Sequence, residues 1–168
     1  ILRQYYTSAL AVEMTIETSM FGGFLQLVLP DDIRQIQKIS PEIIAEKPDK
    51  TSWAPLYTGL VVDTTGLDFE PVLNPVIVSE NGYDVYSAVY ISREFAVKNG
   101  VVKYLCSINQ ALKDARVGNH PLVVKALRKE GKKNTSIVIN LADYRTLEKS
   151  PERHSFLREC RVIIVKDS

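Results

Sequence analysis

The sequence has few of the residues from which metal and disulfide sites are built: two cysteines and two histidines in 168 residues. It contains no Cys-x-x-Cys pair and no Cys/His cluster with zinc-ligand spacing, so it predicts no zinc site. No apolar run approaches the ~18 residues typical of a membrane-spanning helix. The GxGxxG, P-loop, HExxH, EF-hand and GxSxG motifs are also missing. These absences favour a protein that is not an enzyme and uses no cofactor.

The charge balance is close to neutral, because 21 Lys and Arg residues against 20 Asp and Glu residues give a formal net charge of +1. Apolar residues account for 45% of the chain and charged residues for 24%, as in typical soluble globular domains. Domains that bind nucleic acid through charge usually have an isoelectric point above about 9, whereas the value here is near 7.9. The composition therefore predicts one globular domain, or one domain and a smaller piece, with no nucleic-acid partner.

The two cysteines, Cys106 and Cys160, are separated by 54 positions. Three interpretations are open: two buried thiols, a disulfide formed in an oxidising compartment, and a reactive thiol. The number of cysteines does not decide among them, and it does not decide the compartment.

The chain begins with Ile1, and no secretory signal peptide is recognisable behind it, so we expect a processed chain or a fragment. Residues 10–20 alternate in hydropathy, which predicts a half-buried antiparallel strand. The apolar side of this strand includes Leu10, Val12, Met14 and Ile16. Such a strand needs a partner, supplied by missing N-terminal residues, by later strands or by another copy of the chain.

Composition divides the chain into three parts. Residues 1–30 end in a glycine-broken apolar segment, which fits a short strand or one turn of helix. We interpret this part as the C-terminal remnant of a preceding α/β domain or as an inter-subunit strand. Residues 31–55 are rich in proline and charge, which is typical of a linker. Residues 56–168 then form the main domain.

The main domain has strand signals at both ends and in two pairs between them, at 56–63, 75–80 with 83–88, 122–127 with 136–140, and 161–166. Asn81-Gly82 separates the first pair and predicts a type I′ hairpin. In that hairpin Ile77 faces Tyr86, and Val78 faces Val85.

Helix signals lie between the strands. Ser92 and Gly100 bound a predicted helix over 93–99, Ser107 opens a second helix with a capping box, and Asn140 opens a third that restarts at Pro151. This order of elements predicts an α+β fold with a mainly antiparallel sheet and two to four short helices.

Asp63-Thr64-Thr65-Gly66, after the first of these strands, has some likeness to a catalytic signature. An aspartic protease needs Asp-Thr-Gly without the inserted threonine and a second carboxylate, and neither condition is met. We therefore interpret the segment as a turn. His120 and His154 have no adjacent catalytic partner, so we expect surface or capping histidines, although a hydrolase site assembled in three dimensions stays open.

One predicted hairpin turn concentrates positive charge, with Arg128, Lys129, Lys132 and Lys133 around it. Charge runs of this kind usually keep a loop in water, and the alternative is contact with an anionic partner. Aromatic residues, on which single-stranded nucleic acid would stack, are absent from the turn.

Several segments together resemble one family of secreted bacterial envelope proteins. They are residues 57–67, the prolines at 71 and 75, and residues 82–86, 92–97, 122–127 and 156–165. The family comprises the small outer-membrane lipoproteins of the Helicobacter type, with the flagellar assembly proteins T and P as relatives. The resemblance covers residues 57–167, and residues 10–30 look like the tail of the preceding family domain.

The resemblance implies a non-catalytic structural or assembly protein, located in the periplasm or at the outer membrane. It implies a homo-oligomer or association with other envelope or flagellar-motor proteins, and peripheral outer-membrane contact through missing N-terminal residues. Two alternatives stay open. One is a binding module for an anionic polymer or surface polysaccharide, and the other is a hydrolase with a spatially assembled site.

Overall fold

The computed structural model describes residues 3–6, 12–15, 17–31, 33, 56–131 and 135–167. The strands within these residues are β1 (Arg3–Tyr6), β2 (Val12–Thr15), β3 (Gly59–Asp63), β4 (Val76–Ser79), β5 (Asp84–Tyr86), β6 (Lys103–Leu105), β7 (Pro121–Glu130), β8 (Ser136–Ile139) and β9 (Val162–Val165). The α-helices are α1 (Leu25–Val28), α2 (Arg93–Asn99), α3 (Ile108–Leu112), α4 (Leu141–Glu148) and α5 (Arg153–Arg158).

A helical turn at Met20–Phe24 precedes α1 and is interrupted at Phe21, which is extended, and at Gly22, which has a φ of 85°. The described residues thus contain five α-helices, one more than the upper end of the expected two to four. The additional helix is α1, whose glycine-broken apolar sequence fits a short strand as well as a helix.

The main sheet has seven strands in the order β5-β4-β8-β7-β3-β9-β6. Four neighbouring pairs are parallel, namely β3 with β7, β3 with β9, β4 with β8, and β6 with β9. Only β4 with β5 and β7 with β8 are antiparallel. The α+β domain therefore has a mixed sheet, and the expectation of a mainly antiparallel one is wrong. Turn signals reveal the two local hairpins, whereas the parallel pairs join strands that are distant in sequence.

Helices cover both faces of this sheet. Leu60 and Val62 of β3 belong to the larger core, which also holds buried residues of α1, α2, α4 and α5. Val61 belongs to a smaller core on the opposite face, with Ala111 of α3. All five residues of β3 are buried, which is typical of a parallel strand covered on both faces.

The segment before the expected linker packs on the main domain. Leu25, Leu29 and Ile33 are buried in the larger core. The domain boundary expected at residue 30 therefore falls inside a segment that contributes to this core. Residues 34–55, most of the expected linker, lie outside the described residues.

The N-terminal strand has its partner within the chain. β2 pairs antiparallel with β1, with Arg3 opposite Thr15 and Tyr6 opposite Val12. The pairing of β2 with β1 therefore needs no missing N-terminal residues, no later strand and no second copy of the chain. Val12 and Met14 lie on β2, whereas Leu10 and Ile16 lie outside the described residues.

The hairpin predicted from Asn81-Gly82 is present as the antiparallel pair β4 and β5, and Ile77 faces Tyr86 as expected. A register shift follows, so that Val78 faces Asp84 and the prediction for this position is wrong. The irregularity arises next to the turn, where the loop geometry decides the pairing.

The turn of this hairpin differs from the predicted type. The Gly82 N–H donates to the Ser79 carbonyl at 2.9 Å, and Gly82 has a φ of 81°. Asn81 does not have the positive φ that a type I′ turn requires at both central residues. The connection is therefore not a type I′ turn but a four-residue turn from Ser79 that ends in a left-handed glycine.

Of the two capping signals at Asn140 and Ser107, the structure confirms only the first. Asn140 caps α4, because its Oδ1 accepts a hydrogen bond from the Asp143 N–H at 2.7 Å. Ser107 precedes α3, but its side chain makes no capping hydrogen bond and the helix ends at Leu112. The capping box predicted there does not form.

Gly59 begins β3 where the neighbouring chain leaves no space for a side chain. A Cβ atom built on Gly59 would lie 2.7 Å from the Cα, Cβ and carbonyl oxygen of Val117. Thr58 reinforces the contact, since its hydroxyl donates to the Val117 carbonyl at 2.6 Å and accepts from the His120 N–H at 3.0 Å. These contacts hold β3 in register with β7, where Gly59 is opposite Pro121.

We expect Gly59→Ala to lower the free energy of unfolding by about 1–3 kcal/mol, the usual cost of overpacking. Gly23→Ala is the matched control, because no atom lies within 4 Å of a Cβ built on Gly23. Urea unfolding followed by circular dichroism measures both variants. A Gly59→Ala protein as stable as the native chain would contradict this close packing.

Candidate functional site

Asp63, Thr65 and Lys125 form a hydrogen-bonded network at the turn after β3. Asp63 accepts hydrogen bonds from the Thr65 N–H and hydroxyl at 3.0 and 2.7 Å, and from the Lys125 ammonium at 3.0 Å. The same ammonium donates to the Thr65 carbonyl at 2.7 Å. Both carboxylate oxygens are therefore engaged in holding the turn, in agreement with the interpretation from sequence.

The charge of Asp63 is stabilised by the same contacts. Burial alone would raise the pKa of Asp63, but the hydrogen bonds from Thr65 and the charge of Lys125 together outweigh burial and lower this pKa. The carboxylate is thus held ionised, which suits a structural anion better than a proton donor.

His120 does not approach Asp63. In the register of β3 with β7, Asp63 is level with Lys125, whereas His120 lies just before the opposite end of β7. Five strand positions correspond to about 16 Å. The His120 ring instead lies against the ring of Tyr57, with a centroid distance of 5.5 Å and an interplanar angle of 39°.

His154 lies on the surface in α5, next to Arg153. Its pKa is lowered by burial of the ring and by the positive charge of Arg153. Neither histidine forms a hydrogen bond with Asp63 in the described residues, so the hydrolase alternative lacks an assembled cluster at this turn.

The predicted basic turn is partly neutralised. Arg128 lies 3.5 Å from Glu130, and Lys129 lies 3.8 Å from Asp68 while donating to the Asp68 carbonyl at 2.6 Å. Lys132 and Lys133 lie outside the described residues. Because both described cations have an acidic partner, the turn gives less support to an anion-binding patch than its sequence suggests.

The two cysteines are free thiols, Cys106 exposed and Cys160 buried. The parallel register of β6 with β9 places Leu105 opposite Val165, so Cys106 is level with Lys166. Cys160 lies in the turn before β9, and the chain from Val162 to Lys166 alone spans about 13 Å, whereas a disulfide needs Cα atoms within about 7 Å. The possible Cys106–Cys160 disulfide is therefore not formed, and of the two thiols only Cys160 is buried. Burial raises the pKa of the Cys160 thiol to about 11, which makes it unreactive.

A cleft of about 650 Å³ lies beside the starts of β6 and β9. Its charged lining residues are Lys98, Lys103, Arg116, Arg161, Asp114 and Glu159, a net charge of +2. We call it the cationic cleft. Its cations are scattered over 64 positions and form no charge run, so no local pattern in the sequence reveals the cleft.

Arg116 lines the cationic cleft and is bonded to the surrounding backbone. Its guanidinium donates to the carbonyls of Cys160, Asn99 and Gly100 at 2.7, 2.7 and 2.6 Å. Burial lowers the pKa of Arg116, but these three acceptors compensate the buried charge. Arg116 therefore joins the end of α2 to the start of β9 and is a structural residue.

The remaining cations differ in how far they are paired. Lys103 forms an ion pair with Asp114, and Arg161 donates through Nε to Glu159 at 2.8 Å. Among the described residues, no acid pairs with Lys98, and the terminal nitrogens of Arg161 make no hydrogen bond. Lys98 and the outer edge of Arg161 are therefore available to an anionic ligand.

An exposed apolar surface borders the cationic cleft. Its side chains are Met20, Phe21, Phe24, Leu27 and Val28, which are between 39% and 84% exposed. We call this surface the apolar ridge. Phe21 belongs to both features, since it also lines the cleft and lies against Gly100. The only sequence signal for the ridge is an uncharged stretch from Thr18 to Pro30.

Arg93 of α2 holds the ridge on the domain. Its guanidinium donates to the carbonyls of Gln26 at 2.6 Å, Pro30 at 3.0 Å and Ile33 at 3.3 Å. Together with the buried side chains of Leu25 and Leu29, these bonds fix α1 against α2 while its other face stays in solvent.

The described part of the chain holds neither a metal-binding cluster nor a membrane-spanning helix. Across the described ranges, no three His, Cys, Asp or Glu side chains come together as a potential metal site. Within the same ranges, every helix is too short or too polar to cross a bilayer.

We expect Asp63→Asn to lower the free energy of unfolding near pH 7 by about 1–3 kcal/mol, because it removes a hydrogen-bonded charge. The folded-state pKa of Asp63 is lowered, so its contribution is present above about pH 4 and is lost as the pH falls through the folded-state value. The difference between the native chain and Asp63→Asn should therefore shrink in acid, as the pH falls below the ordinary carboxyl range and through the lowered folded-state pKa.

Urea unfolding between about pH 2 and pH 7 measures this difference, with Asp84→Asn at the exposed start of β5 as the control. A difference that persists unchanged in acid would contradict the assigned role of the Asp63 charge.

Comparison with known proteins places the main domain in a family. Residues 59–168 match the family defined by the second domain of Treponema pallidum Tp0624. This range extends from the first residue of β3 to the end of the chain and includes the cationic cleft, except for Phe21. No curated protein matches the chain. The chain belongs to the family of the Treponema pallidum Tp0624 second domain.

Proposed function

We propose that the chain is a non-catalytic structural or assembly protein of the bacterial cell envelope, in the periplasm or at the outer membrane. Its partners are copies of itself or other envelope proteins, of which the components of a flagellar-motor ring are one class. The proposal draws support from the resemblance of residues 57–167 to envelope proteins and from membership of a family that takes its name from one domain of a bacterial protein.

The observation that carries the proposal is the hairpin of β1 and β2. These strands form a two-stranded sheet, separate from the seven-stranded sheet. A two-stranded hairpin is marginally stable by itself in water, and each of its strands has an edge with unpaired backbone groups. Among the described strands, none pairs with these edges. We assign the edges to strands of another chain, with a second copy as the first partner.

Strand addition of this kind accounts for assembly without a large apolar interface. Main-chain hydrogen bonds provide affinity when an extended segment adds to an exposed sheet edge. Charged residues, lysine above all, are how natural proteins block such pairing. β2 contains no lysine; Val12 and Met14 are apolar, and its one charged residue is Glu13.

We expect the full chain to form oligomers whose population rises with concentration over about 5–200 μM, measured by sedimentation velocity. Val12→Lys with Met14→Lys should convert them to monomers, because two charges in β2 oppose edge pairing. Leu73→Lys is the matched control, as an exposed apolar residue outside the strands.

The thermal unfolding transition of the main domain should be unchanged in both variants, which separates loss of assembly from loss of folding. A native chain that stays monomeric at the highest concentration would contradict self-assembly through the hairpin. Fractionation of the source cells tests the location, and recovery of the native protein with cytosolic markers would overturn the envelope assignment.

A further inference from the structure

The apolar ridge and the cationic cleft form one continuous surface of mixed chemistry. Phe21 contributes to both, and the ridge packs along α2, whose last residues Lys98 and Asn99 line the cleft. Leu27, at 84% exposure, is the most exposed side chain of the ridge. Soluble proteins rarely place several large apolar side chains together on the surface unless the patch contacts something.

The shape of this surface indicates what it contacts. The ridge side chains stand out from a short helical segment that Arg93 fixes to the domain. Protruding Phe, Leu and Met side chains beside cations match the boundary of an anionic bilayer, where acyl chains lie below a layer of phosphates. A protein partner with an acidic groove would satisfy the same charges, but it would have to supply a cavity shaped to the ridge.

We propose that this surface docks the domain on an anionic lipid bilayer. Met20, Phe24, Leu27 and Val28 enter the boundary between head groups and acyl chains. Lys98 and the terminal nitrogens of Arg161, which line the cleft, contact lipid phosphates. The inference is independent of strand pairing by β1 and β2, because it uses different residues and a different kind of contact.

The docking involves no membrane-spanning segment. An interfacial segment needs only one apolar face in the head-group region, and anionic lipids add attraction for each nearby cation. Leu25 and Leu29 stay in the protein core, so the side of α1 that reaches the lipid is the side left exposed by folding.

The test is co-sedimentation of the full chain with vesicles, either pure phosphatidylcholine or phosphatidylcholine with about 30% phosphatidylglycerol. We expect binding to the anionic vesicles, weaker binding at high salt, and little binding to the neutral ones. Lys98→Gln with Arg161→Gln should weaken binding about 25-fold, since each cation near an anionic surface contributes roughly fivefold. The control is Arg145→Gln with Lys149→Gln, two exposed cations near the end of α4.

A second pair of variants tests the apolar contact. Leu27→Gln with Val28→Gln should weaken binding about tenfold or more, because it removes the side chains that enter the bilayer. Val89→Gln with Leu112→Gln is the control, since both residues are exposed elsewhere on the domain. Circular dichroism and thermal unfolding show that each variant is folded.

Three results would overturn the proposal. They are failure of the native chain to bind anionic vesicles, equal binding to neutral and anionic vesicles, and control variants that lose as much binding as the test variants. Oligomers that Leu27→Gln with Val28→Gln dissociates, in a chain that binds no vesicles, would assign the ridge to a second copy instead.

Discussion

The burial of β3 on both faces is the constraint on which the domain depends. Its residues alternate between the two cores, and it pairs in parallel with β7 on one side and β9 on the other. Gly59 permits this position because Val117 approaches the backbone there more closely than any side chain allows. The hydrogen-bonded turn of Asp63 lies at one end of this strand, and the cationic cleft lies towards the other end.

Charge near the sheet is compensated differently at these two ends. At the Asp63 end, Lys125 and Thr65 donate hydrogen bonds to both oxygens of the carboxylate. A residue that looks catalytic in the sequence is therefore structural. At the other end, the guanidinium of Arg116 donates hydrogen bonds to three backbone carbonyls. Arg116 is thereby committed to the fold, whereas Lys98, which is exposed, and the terminal nitrogens of Arg161 line the same cleft without a hydrogen-bond partner among the described residues.

Local signals predicted much of the fold, whereas long-range pairing escaped them. The β4–β5 hairpin, α2, the Asn140 cap and the final strand follow from turn residues, caps and β-branched runs close together in sequence. The parallel pairing does not follow from such signals, because β3 and β9 are about 100 residues apart in the sequence and no local pattern indicates that they pair. The continuous apolar character of β3 and β9 was the available clue, since such runs are typical of parallel strands covered on both faces.

The candidate surfaces were harder to predict for a related reason. Arg116, Lys98 and Arg161 come together only after the strands are ordered, and the ridge is recognisable only once Leu25 and Leu29 are known to be buried. The family match begins at residue 59, so it describes the scaffold, whereas the hairpin and the ridge lie before it. Family membership alone therefore cannot determine the partner. Arg93 links the two parts, because a residue inside the matched domain holds the segment outside it in place.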